Sequence, residues 1–169
     1  MPAPRFTLAV LFQRTPLANR WIDERWEPIG VEMEADGAPA SVVKVADDAT
    51  GARWRFGGMA AELHRSEAEG YHLNLTASDP KVFVMWRDAE PGVEPAVFPA
   101  MVTVSYNQAA RMMDGGEHVD AVPLPQAIRA WMEPFVAEHY KPEPRRKVRR
   151  NDPFADQASG GDPRNRKAW

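Results

Sequence analysis

Apolar residues along the first hundred positions follow the spacings that are typical of β-strands. Residues 82–86 form a continuous apolar run between turn-forming residues, which predicts a central strand covered on both faces. Pro99 interrupts a later run and indicates an edge strand or a bulge at that point. The predicted strands cover residues 6–12, 29–33, 41–46, 71–75, 82–86 and 97–104.

A pair of adjacent glycines predicts a β-hairpin within residues 52–63. Gly57 and Gly58 separate two alternating segments, and a Gly-Gly pair supplies the positive φ angles of a two-residue turn. With that turn, Phe56 faces Met59 on the neighbouring strand. We therefore expect two short strands that fold back on each other.

Later residues have helical spacing instead. Residues 107–114 predict a short helix with Met113 facing inward and Gly115 ending it. Residues 125–140 predict a longer helix that Pro134 should kink or split. Its predicted inward face holds Ile128, Trp131, Met132, Phe135 and Val136. The pattern as a whole predicts an α+β fold, a mostly antiparallel sheet of hairpins or meanders with two C-terminal helices packed on it.

Charge divides the chain into two parts. Residues 141–169 contain nine basic and four acidic residues, a net charge of +5, so residues 1–140 carry −8 of the total −3. The segment 141–169 is also rich in proline and poor in large apolar side chains, and such a segment orders poorly without a partner. We expect an acidic α+β domain over residues 1–140 and a basic tail over residues 141–169, disordered or ordered by a partner.

The composition excludes several kinds of site. The chain has no cysteine, which excludes disulfides, thiolate zinc sites and a cysteine nucleophile. Its glycine pairs lack the GxxxxGK and GxGxxG patterns of phosphate loops, and its histidines lack metal-binding spacing. The histidines are His64, His72, His118 and His139. We predict no catalytic residue, no metal and no cofactor, and hence a protein that is not an enzyme.

Hydropathy favours a cytoplasmic protein. The apolar run at residues 6–12 is followed by Gln13 and Arg14 rather than a small-residue cleavage site, so it is not typical of a signal peptide. No apolar run approaches the roughly 20 residues that a membrane-spanning helix needs. We therefore expect no membrane partner.

The segment between residues 63 and 71 concentrates reactive side chains. His64, Arg65, Glu67 and Tyr71 could form an acid–base site or a ligand pocket. The alternative is a polar connection whose charged groups bond to the backbone, and the lack of a nucleophile nearby favours that alternative.

Two tryptophans among charged residues have two interpretations. Trp21 and Trp26 lie five residues apart, and exposed tryptophan beside arginine is typical of binding hot spots. Packing against the first strands is the other interpretation, and we lean towards it.

The basic tail is the strongest candidate for binding a partner. We expect it to dock on an acidic surface of a client protein or of a second accessory protein, with Phe154 as an apolar anchor. A solubilising role comes second, and nucleic-acid binding comes last because the acidic domain would repel a duplex. The basic docking residues are Arg145, Arg146, Lys147, Arg149 and Arg150.

Four ordered motifs resemble a bacterial family known as domain of unknown function 3305. They are N-x-W-x-x-x-R-W-x-P at 19–28, L-H-R-x-E-x-E-x-Y-x-x-N-L at 63–75, V-T-V-S at 102–105 and G-E-x-V-D-A-V-P-L-P at 116–125. The resemblance covers most of residues 5–150. It implies an accessory protein that is usually encoded beside a molybdenum-dependent formate dehydrogenase and its maturation factors.

Taken with the residues, the resemblance favours a non-enzymatic factor that helps to assemble or mature that dehydrogenase by protein–protein docking. The first alternative is a protein that handles a molybdopterin or guanine-nucleotide cofactor in a pocket near His64, Arg65, Glu67 and Tyr71. The second is a nucleic-acid-binding regulator that uses the basic tail.

Overall fold

The computed structural model describes residues 2–144, and within them the chain forms two antiparallel sheets and three helices. The mixed α+β class is the one that the sequence predicts. The elements are β1 (Arg5–Pro16), β2 (Glu24–Met33), β3 (Ser41–Asp48), β4 (Gly51–Glu62), α1 (Ala68–Thr76), β5 (Lys81–Asp88), β6 (Val97–Thr103), α2 (Tyr106–Asp114), β7 (His118–Pro123) and α3 (Gln126–His139).

The two sheets stack face to face with unequal numbers of strands. The first has the order β2-β1-β4-β3 and the second the order β6-β5-β7. Across the stack β2 contacts β7 and β4 contacts β6. Because the first sheet has one strand more, β3 extends beyond the edge of the second sheet.

Apolar side chains of β1 and β5 form the centre of the core. Leu8, Val10 and Phe12 on β1 are fully buried, as are Val82 and Val84 on β5. Since side chains alternate along a strand, one face of β5 meets the first sheet while the other turns towards α2. The predictions of a buried strand at 6–12 and of a central strand at 82–86 are confirmed.

Helices α1 and α3 pack on each other, and α3 also contacts β1. The rings of Phe6 and Trp131 lie 5.4 Å apart, centre to centre, and Ile128 and Met132 are fully buried. The apolar spacing predicted for the last helix is therefore confirmed. Pro134 lies exposed within one continuous helix, so the helix does not split there.

The predicted hairpin at Gly57 and Gly58 is wrong. Strand β4 runs through both glycines and pairs with β1 from Arg14 back to Arg5, with a bulge at the glycines. Gly58 has a φ of +75°, and a Cβ there would lie 2.5 Å from the backbone nitrogen of Ala40. The glycines thus allow a bulge and the close approach of the segment that leads into β3. Both depend on residues distant in the sequence, so a rule based on local turn residues does not predict them.

Residues 71–75 form part of helix α1, so the predicted strand there is also wrong. Ala68, Tyr71 and Asn74 are buried and lie three residues apart, which is a helical spacing. The prediction instead followed the alternation of Tyr71, Leu73 and Leu75, which is typical of a strand. Strand β7 was not predicted at all.

The short helix α2 matches the prediction in position but not in its inward face. It ends at Asp114 with Gly115 as its cap, as expected. Met113, however, is 52% exposed rather than buried. Pro99 lies in an edge strand next to a bulge, which confirms that prediction.

None of the helices within residues 2–144 combines the length and apolar character that crossing a bilayer requires.

Candidate docking site

An apolar groove separates the edge strands β3 and β6. Two adjoining cavities of about 320 and 380 Å³ form it, and Val42, Phe56 and Phe98 line both. The remaining lining residues are Ala40, Ser41, Gly57, Met59, Ala89, Glu90, Val93, Glu94, Pro95, Val97 and Pro99. We call this feature the edge groove.

The register of β3 explains why the edge groove is open. Val42 pairs with Phe56, so both side chains point to the inner face of the first sheet. That face is covered at β4 by β6, but β3 has no strand opposite it in the part of the chain that the structure describes. Val42 consequently remains 53% exposed and Phe98 39% exposed. These two exposed side chains line the same cavities and so form a cluster, unlike single apolar residues scattered over a surface.

Acidic side chains border the edge groove. The Lys44 ammonium lies 3.1 Å from Asp47 and 3.6 Å from Glu94, and 5.1 Å above the ring of Trp54. The hydrogen bond with Asp47 raises the pKa of Lys44, so the ammonium stays charged and is shared by two carboxylates. Since Glu90 also lines the groove and Lys44 is already paired, the rim has a negative balance.

The reactive residues predicted between 63 and 71 are largely bonded into the fold. The Tyr71 hydroxyl accepts a hydrogen bond from the backbone nitrogen of His64 at 3.0 Å and donates one to the Glu62 carbonyl at 3.2 Å. Burial raises the pKa of Tyr71, so this phenol is a poor proton donor near neutral pH. Its two hydrogen bonds hold the chain where β4 leads into α1.

Glu67 has a comparable structural role. Its carboxylate accepts a hydrogen bond from the buried Ser105 hydroxyl at 2.6 Å and another from Arg111. Ser105 also caps α2 by accepting a hydrogen bond from the backbone nitrogen of Gln108 at 3.1 Å. The residues therefore join α1 to α2. Sequence reasoning missed Ser105, although the S-x-x-Q spacing before a helix is a capping signal.

Asn74 is a second buried polar residue that sequence reasoning missed. Its amide nitrogen donates to the carbonyl oxygens of Lys81 and Val104, and its side-chain oxygen accepts from the backbone nitrogen of Lys81. These three bonds tie α1 to β5 and to the end of β6. Because the sequence predicted a strand at residues 71–75, the helical position of Asn74 could not have signalled this role.

His64 and Arg65 line an open cavity of about 910 Å³ at the end of α3, beside Phe135 and His139. The Nε2 atom of His64 lies 3.3 Å from the Glu62 carboxylate. Of the four residues predicted for this pocket, His64 and Arg65 face the cavity, whereas Tyr71 and Glu67 are bonded as described above. Across residues 2–144 no three histidine, aspartate or glutamate side chains group as metal ligands.

The two tryptophans differ in their surroundings. Trp21, in the loop between β1 and β2, is 86% exposed. Trp26 packs against the core, and its ring nitrogen donates to the Glu24 carboxylate at 3.0 Å. Packing accounts for Trp26, and Trp21 keeps the exposure that a binding residue needs.

The six predicted docking residues of the tail lie outside the described residues. They are Arg145, Arg146, Lys147, Arg149, Arg150 and Phe154.

Comparison of the chain with curated protein sequences and with solved structures gave no match. The model of the family described as "Protein of unknown function (DUF3305)" matches residues 7–149, which is most of the chain. The protein therefore belongs to the DUF3305 family.

Proposed function

We propose that this protein is a non-enzymatic accessory factor that docks on another protein through the edge groove. The observation that carries the proposal is the exposure of Val42 on β3 and Phe98 on β6, which are 53% and 39% exposed beside strand edges that no other strand of residues 2–144 covers. Apolar clusters of this kind on soluble proteins are typical of protein interfaces.

The polar cluster formed by Tyr71, Glu67 and Ser105 supports the same proposal, because its bonding argues against catalysis. Tyr71 and Glu67, which are the residues best suited to proton transfer, are bonded to the backbone and to Ser105 and Arg111. A side chain that holds two helices together is poorly placed to move towards a substrate. Binding therefore explains more of the arrangement than catalysis does.

The family resemblance and the charge distribution suggest what the partner is. We propose a molybdenum-dependent formate dehydrogenase or one of its maturation factors as the client, and the cytoplasm as the place of assembly. The basic tail, residues 141–169, would add a second and salt-sensitive contact with an acidic patch of that client. Together the two contacts give a bipartite interface.

Purified cofactor-free formate dehydrogenase and the full-length protein provide a direct test. Val42→Asp and Phe98→Asp each place a charge in the edge groove, and we expect each to weaken binding about tenfold or more in surface plasmon resonance. Met113→Asp is the matched control, because Met113 is 52% exposed on α2 and does not line the groove. Equal affinity of all three variants and the unaltered protein would contradict the proposal.

Neutralising the tail separates its contribution from that of the groove. Glutamine at the five basic positions from 145 to 150 should weaken binding at low salt and leave binding at high salt nearly unchanged. A loss that is independent of salt would exclude the tail as an electrostatic contact.

The open cavity beside His64 and Arg65 favours a second candidate function, the handling of a molybdopterin or guanine-nucleotide cofactor. Its volume of about 910 Å³ is large enough for such a ligand. Calorimetry with the guanine nucleotide should then give heat that Arg65→Ala abolishes. The absence of heat with the unaltered protein would remove this candidate.

A further inference from the structure

Strand β3 differs from the other edge strands in having no proline. Pro28 lies within β2 and Pro99 within β6, and β7 is only six residues long and ends at Pro123. Proline on an edge and short edge strands both prevent pairing with a further strand. Among the strands in residues 2–144, β3 is the edge that lacks both protections.

The backbone of β3 is available for pairing. Residues 41–44 pair in regular antiparallel register with residues 54–57 of β4, before a bulge at Val45. In such a ladder every second residue directs its N–H and C=O groups away from the partner strand. Among residues 2–144, only β4 forms backbone hydrogen bonds with residues 41–44, and the side chains of Val42, Val43 and Val45 are about half exposed.

The edge groove lies where the side chains of an added strand would point. A strand placed beside β3 would lie about 4.8 Å from it, with alternate side chains on the face that carries Val42 and Phe56. Those side chains would fill the cavities that Phe98 borders. Main-chain bonds and alternate side-chain pockets are the two components of peptide recognition by strand addition.

Charge identifies the occupant. Asp47 and Asp48 lie at the end of β3, and Glu90 and Glu94 lie across the groove, whereas Lys44 is already paired with Asp47 and Glu94. A second copy of β3 has a net negative charge, from Lys44 against Asp47 and Asp48, and like charges disfavour its addition to an acidic rim. A segment with alternating apolar residues and basic neighbours is complementary.

We propose that β3 accepts an extended, basic segment of the partner protein as an additional strand, with alternate apolar side chains of that segment in the edge groove. This inference rests on the proposed docking function and specifies its mode of recognition. It assigns affinity to the backbone of β3 and selectivity to Val42, Phe56 and Phe98.

A synthetic peptide of alternating valine and basic residues tests the mode with the full-length protein. We expect binding by fluorescence anisotropy, and slower hydrogen exchange at the outward-facing amides of residues 41–44 when the peptide is bound. Methylating alternate backbone nitrogens of the peptide removes donors on one edge only. Methylation on the pairing edge should weaken binding about tenfold or more, and methylation on the other edge should have little effect.

Each alternative outcome has a distinct meaning. Equal binding of the two methylated peptides, or unchanged exchange in β3, overturns strand addition. Slow exchange in β3 of the lone monomer means that the chain's own tail occupies the edge, and slow exchange that appears with dimerisation means that a second copy does; both overturn a partner segment as occupant. If groove variants weaken binding of the dehydrogenase while the peptide results are negative, docking stands and only this mode fails.

Discussion

The polar cluster around α1 and the edge groove differ in how completely their groups are bonded. The cluster is rich in reactive residues, yet Tyr71, Glu67 and Asn74 are all hydrogen-bonded within the fold. The groove has few reactive residues, yet Val42, Val93 and Phe98 beside it remain exposed to solvent, and no other strand of residues 2–144 pairs with the outer edge of β3. The difference shows that reactive residue types locate a site only when the fold leaves them available.

Removing the Asn74 side chain is the strongest test of this comparison. Asn74→Ala removes one buried hydrogen bond, to the Val104 carbonyl, and two part-buried ones with the backbone of Lys81, so we expect the free energy of unfolding to fall by about 3 kcal/mol. Urea denaturation measures the change. Asn107→Ala is the control, because that amide makes one long, exposed bond with Glu69. If both variants lost a similar free energy of unfolding, the buried hydrogen bonds of Asn74 would contribute no more than the exposed bond of Asn107.

A matched pair of valines compares the two regions directly. Val84→Thr buries a hydroxyl in the core and should cost about 2 kcal/mol, whereas Val42→Thr in the groove should cost less than about 0.5 kcal/mol. The two changes are chemically identical, so the difference reports the surroundings alone. Denaturant midpoints of the two variants give the answer, and equal midpoints would mean that the groove is packed in solution.

The Tyr71 hydroxyl should contribute less, with a dependence on pH. Tyr71→Phe should lower the free energy of unfolding by about 1 kcal/mol at neutral pH through the loss of its hydrogen bonds. Because burial raises the pKa of Tyr71 in the folded state, the unfolded chain ionises first as pH rises above about 10, and stability falls there. The variant should lose this part of the alkaline decline. Tyr106→Phe, at an exposed tyrosine, should retain it.

Neutralising Lys44 should have the smallest effect. Its ion pairs with Asp47 and Glu94 are exposed, and exposed pairs contribute little to stability. We expect Lys44→Gln to leave the denaturation midpoint unchanged within error, while binding of the basic peptide strengthens because the rim becomes more acidic. A clear fall in the midpoint would place Lys44 among the structural groups.

Local signals predicted the elements whose causes are local. The apolar run at 82–86 gave β5, Pro99 marked an edge, and Gly115 marked the end of α2. Each of these depends on neighbouring residues in the chain, and the chain itself therefore contains the information.

Non-local contacts account for the errors. A side chain at Gly57 would meet Ser41 and Glu34, and one at Gly58 would meet the backbone of residues 39–40. Neither contact is visible in the sequence next to the glycines. The edge groove was likewise not predictable, since it results from the unequal number of strands in two sheets. The sequence-based candidates for docking on a protein were residues of the basic tail and the two tryptophans, Trp21 and Trp26. Of these, the structure describes Trp21 and Trp26.

The crossing at Gly58 connects position 58 to the edge groove through Ala40, which lines the groove. The chain passes Gly58 at Ala40 and enters β3 one residue later, at Ser41. Any side chain at position 58 displaces that crossing, and the displaced backbone carries the first residue of β3 with it. We therefore expect a substitution at position 58 to change the opening of the edge groove through the backbone at Ala40 and Ser41, without replacing any side chain that lines the groove.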